Sequence, residues 1–216
     1  MKIGVIGSAK VGQTLATAFL AEGHEVKLGT RDISKPDVIS WRVNNPTGTV
    51  GYFNEAASFA DIIVLAVKGS KAVEALEQTG MDLFSGKIVI DVTNPISENV
   101  PPANGVLSFF TPANESLMET IQGRIHAAKV VKAFNSIGSD SMYKPVFKDG
   151  PPTMFICGND EEAKQVVTGI LQSFGWHAED MGKAESARPI ESLCILWCIP
   201  GFLNNQWGHA FKLIKK

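Results

Sequence analysis

The 216-residue sequence has few cysteines, little excess charge and no long uninterrupted apolar run. Its three cysteines are an odd number and include no Cys-x-x-Cys pair, which favours a reducing compartment and predicts a cytoplasmic protein. The net charge of −2 gives no reason to expect nucleic acid or an anionic membrane as a partner. The apolar stretch 190–203 is interrupted by Glu191, Pro200 and Gly201, so it should not span a bilayer. A strand pattern begins at residue 2, so we expect no signal peptide.

Common catalytic signatures are also missing. The sequence has no Gly-x-Ser-x-Gly elbow and no His-Glu-x-x-His helix, and its histidines are scattered at His24, His126, His177 and His209. Cys194 and Cys198 are four residues apart without further ligands nearby, which favours core packing over a metal site. We therefore predict no catalytic side chain and no metal. This pattern favours hydride transfer between two flat rings, which depends on alignment and exclusion of water; a proton would come from bound water or a partner subunit.

The first 32 residues carry the strongest pattern in the chain. Residues 2–6 form a short β-branched apolar run that Gly7 ends. From Val11 the apolar residues follow helical spacing, and Gly23 closes this helix before a second apolar run at 26–29. Strand, glycine turn, helix and strand within about 30 residues predict a βαβ unit.

The first turn reads Gly7-Ser8-Ala9-Lys10-Val11-Gly12 and matches the dinucleotide fingerprint G-x-G-x-x-G/A at its two glycines. Ala9 occupies the position of the second glycine, which lets the backbone approach the pyrophosphate, so we expect a slightly more distant phosphate. The helix that follows offers free N–H groups and a positive dipole end to an anion, and Lys10 could add a cation. The alternative is a tight turn that binds nothing.

The end of the second strand should select the dinucleotide. NAD-binding proteins usually place an acidic residue there to hold the ribose 2′-hydroxyl. This chain has Thr30 and Arg31, with Lys35 further on, and the planar fork of Arg31 suits a 2′-phosphate. These residues favour NADP(H), whereas Asp32 offers the competing interpretation of an NAD site shifted by two places.

Strands alternate with helices along the whole chain. Further strands are predicted at 49–53, 61–67, 86–92, 129–134, 153–157 and 176–181, and helices at 55–59, 70–78, 114–125, 161–174 and 185–214, with a shorter turn of helix at 38–43. Ser70 should cap its helix, Val166 should face inward, and the last helix should bend at Pro200. The alternation predicts an α/β fold with a doubly wound, mostly parallel sheet of Rossmann type, in one domain over 1–216.

In such a sheet ligands bind beyond the carboxyl ends of the strands. The turns at 7–12, 30–31, 67–69, 93–95 and 134–136 should therefore converge on one cleft. The long loop 101–112, which contains Phe109 and Phe110, is a further candidate for function.

The C-terminal part, 184–216, is predicted as a helical extension packed on the sheet. Its aromatic residues Phe202, Trp207 and Phe211 should lie in the core or in a subunit interface. An apolar last helix of this kind makes a homodimer plausible.

Several segments resemble the NADPH-dependent coenzyme F420 (deazaflavin) oxidoreductase family over nearly the whole chain. Its fold is also used by the cytosolic reductase domain of the six-transmembrane metalloreductases. The resemblance rests on the segments 6–12, 24–26 with 29–31 and Lys35, 91–95, 132–135, 157–160 and 187–193.

The resemblance implies a role for each of these segments. Residues Ser8 to Val11 would hold the pyrophosphate, and Thr30, Arg31 and Lys35 the 2′-phosphate. The residues Ala66, Val67 and Lys68 would line the ribose near the nicotinamide, which Asn94, Pro95 and Ala133 would flank. The deazaflavin would lie against that ring, near 134–137 and 188–193.

We therefore expect an NADP(H)-dependent oxidoreductase with a small-molecule hydride acceptor, coenzyme F420 being the first candidate. A flavin, a quinone or an imine could be reduced with the same geometry. A protein that binds NADP(H) only to sense redox state is the alternative from another class. In that case side chains such as Phe109 or Phe110 would fill the acceptor space beside Asn94 and Ala133.

Overall fold

The computed structural model describes all 216 residues. Its strands are β1 (Lys2–Ile6), β2 (Glu25–Thr30), β3 (Thr49–Tyr52), β4 (Ile62–Leu65), β5 (Ile88–Asp91), β6 (Lys129–Lys132), β7 (Thr153–Gly158) and β8 (His177–Asp180). Its α-helices are α1 (Lys10–Ala21), α2 (Pro36–Asn44), α3 (Phe53–Phe59), α4 (Ala72–Thr79), α5 (Leu117–Arg124), α6 (Glu161–Ser173) and α7 (Ala187–Asn204). All eight strands belong to one sheet in the order β3-β2-β1-β4-β5-β6-β7-β8.

Neighbouring strands from β3 to β6 are parallel, and only β6 and β7 pair antiparallel, at Val131 opposite Gly158. The alternate residues of β4 enter two separate core clusters: Ile62 and Val64 join one, Ile63 and Leu65 the other. The sheet therefore has a packed core on both faces, which is why its strands read as continuous apolar runs. The prediction of a doubly wound, mostly parallel α/β fold is confirmed.

Gly23 ends α1 as predicted. Its φ of +80° is a left-handed conformation that favours glycine, and the N–H of His24 then reaches back to the carbonyl of Phe19 over 3.0 Å. The chain is turned directly into β2 by this bond. None of the helices combines the length and apolar character needed to cross a membrane.

Two details of the predicted helices are wrong. Ser70 does not cap α4, because it lies inside a 3-10 turn (Gly69–Lys71) that precedes the helix, and the capping position belongs to Lys71. Val166 is 37% exposed rather than inward. The buried stripe of α6 is completed by Val167, Ile170 and their neighbours, which leaves position 166 on the outer side of the helix.

The predicted helical extension over 184–216 is also wrong in its second half. The helix α7 contains Pro200 and ends at Asn204, and residues 205–216 have no regular structure. Asn205 takes a left-handed conformation, and Trp207 folds back onto Gly201, where a Cβ atom would lie 2.3 Å from the indole ring. The chain reverses here because glycine leaves room for the indole.

The reversed tail is held along α7 and at β7. The rings of Trp197 and His209 stack with centroids 5.2 Å apart, and the indole N–H of Trp197 donates to the carbonyl of His209. The N–H of Thr153 donates to the carbonyl of Phe211 over 2.9 Å. Phe211 thus packs against the core as predicted, but from the tail, whereas Phe202 is 46% exposed.

Candidate functional site

A cleft of about 190 Å³ opens at the carboxyl ends of β1, β2 and β4. It brings together most of the predicted site residues from the first half of the chain. Its lining consists of Gly7, Ser8, Ala9, Thr30, Arg31, Lys35, Phe53, Ala66, Val67, Lys68, Lys71, Glu74, Ala75 and Gln78. Of the five turns predicted to converge on one cleft, those after β1, β2 and β4 line it, and those at 93–95 and 134–136 do not.

The two fingerprint glycines are required by close backbone contacts. Gly7 has a φ of +121°, and a Cβ atom there would lie 2.2 Å from the carbonyl oxygen of Ala66. A Cβ atom on Gly12 would lie 1.9 Å from the carbonyl oxygen of Gly7. Glycine at these positions lets β1, the β4 turn and the start of α1 approach one another, which brings the helix end to the cleft.

The N-terminus of α1 is open. Ala9 is its N-cap and provides no side-chain hydrogen bond, and the first turn contains no acidic residue. The first backbone bond within the helix runs from Gln13 to Ala9, so the preceding N–H groups remain available. An exposed helix end of this kind is an anion-binding position. Ala9 is itself exposed, so its methyl group packs against nothing that would close the turn.

Thr30 connects the two sides of the cleft. The hydroxyl of Ser8 donates to Thr30 Oγ1 over 2.8 Å, and the hydroxyl of Thr30 donates to the carbonyl of Asp32. Thr30 is 1% exposed, so its hydroxyl fixes the turn at residues 7–12 to the end of β2.

The cleft is basic although the chain as a whole carries a charge of −2. Lys71 forms an ion pair with Glu74 at 2.9 Å, and the hydrogen bond from Lys71 holds the pKa of that carboxyl below its usual value. Lys68 is paired with Glu98, also at 2.9 Å. Arg31 and Lys35 form no ion pair, so two cations remain open at the end of β2.

Asp32, the basis of the competing NAD interpretation, does not line the cleft. Its carboxylate accepts bonds from the hydroxyl and the N–H of Ser34 at 2.6 and 2.9 Å. These bonds hold the pKa of Asp32 below its usual value. The carboxylate is thus used to close a local turn, and the geometry favours Arg31 and Lys35 as the residues that face a ribose substituent.

Lys10, Val11 and Gly12 do not line the cleft, unlike the other residues of the turn at 7–12. The ammonium of Lys10 pairs with Asp140 at 2.7 Å, both side chains being largely exposed, and neither it nor Val11 nor Gly12 lines the cleft. Gly12 serves as a packing position. A contact from Lys10 to a phosphate stays a prediction, and so does the part of Val11.

Asn94, Pro95 and Ala133 lie outside this cleft, at the ends of β5 and β6. The carbonyl of Asn94 fits against Gly69, where a Cβ atom would lie 1.9 Å away. The amide of Asn94 donates to the carbonyl of Asn135 over 2.8 Å, and Asn135 Nδ2 lies 3.3 Å from Asn94 Oδ1. Ala133 is fully buried, so its methyl group reaches no open space.

Phe134 carries an unusual backbone between Ala133 and Asn135. Its φ of +60° is left-handed, although it is a bulky residue and only 1% exposed. Such conformations persist where the surrounding packing enforces them and are enriched at functional sites. The core packing around Phe134, which includes the ring of Phe174, holds the turn at 133–135 in this conformation.

A buried ion cluster behind these turns was missed by the sequence interpretation. The Lys132 ammonium lies 2.7 Å from Asp91 Oδ2 and 2.8 Å from Glu191 Oε1, and it donates to the carbonyl of Thr93 over 2.8 Å. We call Lys132, Asp91 and Glu191 the buried triad; each is at most 1% exposed. The sequence does contain a signal for this cluster, because Asp91 and Lys132 are charged residues at the ends of the apolar strands β5 and β6.

The triad joins four elements. Asp91 and Lys132 face each other across β5 and β6, and Glu191 belongs to α7. The two oxygens of Glu191 also accept the N–H groups of Leu117 and Met118, each over 3.0 Å, at the start of α5. Burial alone would lower the pKa of Lys132, but the two carboxylates outweigh it and the pKa is raised.

No cluster of three or more His, Cys, Asp or Glu side chains is arranged to hold a metal ion. Cys194 is buried and Cys198 packs against the core. His209 packs on Trp197.

Comparison with known proteins agrees with the geometry. Residues 2–95 match the family described as NADP oxidoreductase, coenzyme F420-dependent. The F420-dependent NADP reductase of Methanocaldococcus jannaschii is 28% identical, and the match covers 89% of each chain. Rat metalloreductase STEAP3 is also 28% identical over 94% of this chain, which spans only 39% of that protein's length.

Solved structures extend the comparison to the whole chain. A candidate F420-dependent NADP reductase from Arthrobacter sp. FB24 superimposes with a TM-score of 0.94 and 31% identity over the full length of both chains. An imine reductase from Streptomyces aurantiacus, with a TM-score of 0.66 and 15% identity, shares the fold. On this full-length similarity, the chain belongs to the coenzyme F420-dependent NADP oxidoreductase family and is an NADP-dependent oxidoreductase.

Proposed function

We propose that this protein binds NADP(H) along the carboxyl ends of β1, β2, β4 and β5 and passes a hydride between its nicotinamide and coenzyme F420. The observation that carries the proposal is that Arg31 and Lys35, two cations without an ion-pair partner, lie beside the open N-terminus of α1. A 2′-phosphate is an anion that needs such cations, whereas an unphosphorylated ribose needs an acidic acceptor.

Each segment of the site has a proposed part. The backbone of Ser8 to Val11 binds the pyrophosphate, and Arg31 and Lys35 bind the 2′-phosphate while Thr30 fixes the turn behind them. Residues Ala66 to Lys68 line the ribose next to the nicotinamide. Asn94, Pro95 and Ala133 flank the nicotinamide ring through their backbone and the amide of Asn94.

The Asn94–Asn135 pair supports the nicotinamide position. Asn135 Oδ1 is buried with no hydrogen-bond partner, which leaves one acceptor at the turn that the carboxamide would approach. The strained Phe134 precedes it, so the backbone is held there against its own preference.

Coenzyme F420 is proposed as the acceptor because the similar archaeal protein carries that name and because the site supplies alignment rather than acid–base chemistry. NADPH supplies a hydride which, with one proton from solvent, reduces the oxidised deazaflavin to its dihydro form and leaves NADP+. The residues of the chain bind, orient and exclude water. The similarity to the oxidoreductase family favours an enzyme over a redox sensor.

A titration of the purified protein with NADPH and NADH tests the cofactor, and addition of F420 then tests the acceptor. We expect NADPH to bind at least about tenfold more tightly than NADH, because a charged phosphate contact contributes about 1.5–3 kcal/mol. Oxidation of NADPH that depends on F420 would support the acceptor. Tight NADPH binding would overturn the proposal that F420 is the acceptor if neither NADPH oxidation by F420 nor NADP+ reduction by reduced F420 is detected. The flavin, quinone and imine alternatives would then be assayed.

We also propose a homodimer formed through α7. Leu196, Phe202 and Leu203 are 54%, 46% and 56% exposed on this apolar helix, and Val106 on the adjoining loop is 43% exposed. Gly105 lies against Leu203, so the loop and the helix form one apolar surface. Contiguous exposed apolar surfaces of this kind are typical of protein–protein interfaces.

The dimer is tested by the molar mass in solution at micromolar concentration. We expect a dimer for the wild-type protein and a monomer for Leu203→Glu, since a buried unpaired charge at an interface is strongly unfavourable. Val146→Glu is the control, because Val146 is 95% exposed and its charge should leave the mass unchanged. A monomeric wild type would contradict the proposal.

A further inference from the structure

We propose that the buried triad of Lys132, Asp91 and Glu191 supplies a net charge of −1 behind the nicotinamide position and so favours the oxidised, cationic cofactor over the reduced one. The inference deepens the proposed function and rests on it. It assigns to three residues, none of which lines the cleft, a part in setting the direction of hydride transfer.

The charge follows from the hydrogen bonds. Asp91 Oδ1 accepts the N–H and the hydroxyl of Thr93 at 2.9 and 2.7 Å, and Asp91 Oδ2 has no partner other than Lys132. Glu191 accepts two backbone N–H groups and Lys132. Every contact of both carboxylates is with a donor, which is the environment of the ionised form. Two carboxylates and one ammonium leave one negative charge.

The charge is close in the chain to the proposed nicotinamide contacts. Lys132 directly precedes Ala133, and Asp91 holds Thr93, which precedes Asn94. The carbonyl of Thr93 is bound by the Lys132 ammonium itself. The turns that flank the proposed nicotinamide position are thus the ones that the triad fixes, and the triad itself is enclosed by protein.

The sign of the effect follows from the cofactor. The nicotinamide ring carries a positive charge in NADP+ and none in NADPH, whereas the phosphates carry the same charge in both. A nearby negative charge therefore stabilises bound NADP+ without a matching effect on NADPH, and burial protects this interaction from screening by salt. The bound couple is shifted so that NADPH becomes the stronger hydride donor.

The test compares the dissociation constants of NADP+ and NADPH in Glu191→Gln and in Asp91→Asn. Each variant removes one negative charge, from a different element, at nearly constant volume. We expect the ratio Kd(NADP+)/Kd(NADPH) to rise about three- to tenfold in both, which corresponds to about 0.7–1.4 kcal/mol of lost attraction. The rise should persist when the ionic strength is increased.

Glu119→Gln is the matched control. Glu119 joins α5 and α7 through a two-bond ion pair with Arg188 at 2.7 and 3.0 Å, as Glu191 joins them by its N–H contacts, but it is partly exposed. Its loss should lower the thermal stability while leaving the ratio of the two constants unchanged. A purely structural triad would behave like this control.

The possible failures can be distinguished. If the wild-type protein binds neither NADP+ nor NADPH, the proposed function fails, and this inference fails with it. If the wild type binds both but the ratio is unchanged in the variants, or both constants change by the same factor, only the inference is overturned. Should Glu191→Gln fail to fold, because its amide faces the N–H groups of α5, Asp91→Asn decides alone.

Discussion

Lys132→Met is expected to lower the free energy of unfolding by about 3–5 kcal/mol, because it leaves two carboxylates buried without their cation. Methionine keeps the length of the side chain, so lost packing is a small part of the effect. The measurement is denaturant unfolding of the variant and the wild type in the absence of cofactor.

Lys164→Met is the control for this result. Lys164 is also buried, with its ammonium 2.9 Å from Glu161 and 2.8 Å from Asp180, but those carboxylates are 71% and 43% exposed. They return to water when the lysine is lost, so we expect a cost of about 1 kcal/mol or less. Equal effects in the two variants would contradict the idea that stranded buried charge is the cause.

The stabilisation from Lys132 should also depend on pH with a definite sign. The pKa of Lys132 is raised in the folded protein, so its stabilisation is complete below the unfolded value of about 10.4 and is lost as the pH rises through the folded value. The difference in stability between wild type and Lys132→Met should therefore be retained from neutral pH to about pH 10 and decrease above it.

Arg31→Ala is expected to weaken NADPH binding by about 1–3 kcal/mol and to leave NADH binding unchanged, because the lost contact is with the 2′-phosphate alone. Calorimetric titration with both nucleotides measures this directly. Arg42→Ala is the control, since Arg42 lies on neighbouring α2 and does not line the cleft. If Arg31→Ala binds NADPH as tightly as the wild type does, Arg31 does not contact the 2′-phosphate. If the variant loses NADH affinity to the same extent, Arg31 contacts a part that both nucleotides share.

The strands and the phosphate turn could be predicted because their signals are local. Val5, Gly7 and Val11 lie within seven consecutive residues, and this short stretch shows both the change of apolar spacing and the glycines of the turn. The same holds for β4, whose four residues are all buried and all apolar. The cofactor preference followed from Thr30 and Arg31 for the same reason.

The features that were missed depend on distant partners. Trp207 leaves the helical path because Gly201 accepts its ring, and nothing in the neighbouring sequence indicates that contact. The buried triad combines residues from β5, β6 and α7, which are far apart in the sequence. Each of them appears in the sequence as a single charge in an apolar run, and its partners are known only from the fold. Ser70 has the residue type of a cap, but the 3-10 turn before α4 moved the helix start past it.

The reversal of β7 places the segment that follows this strand far from the cleft. Since β7 runs against β6, the segment that follows it, from Asn159 to Asp160, opens on the edge of the sheet away from the cleft. This end of β7 is fixed there, because Asp160 caps α6 and pairs with Lys129 at the start of β6. Relatives that act on other acceptors are therefore expected to differ in the loop 101–112 and in α7, rather than after β7, and to keep β1 to β5 nearly unchanged in length.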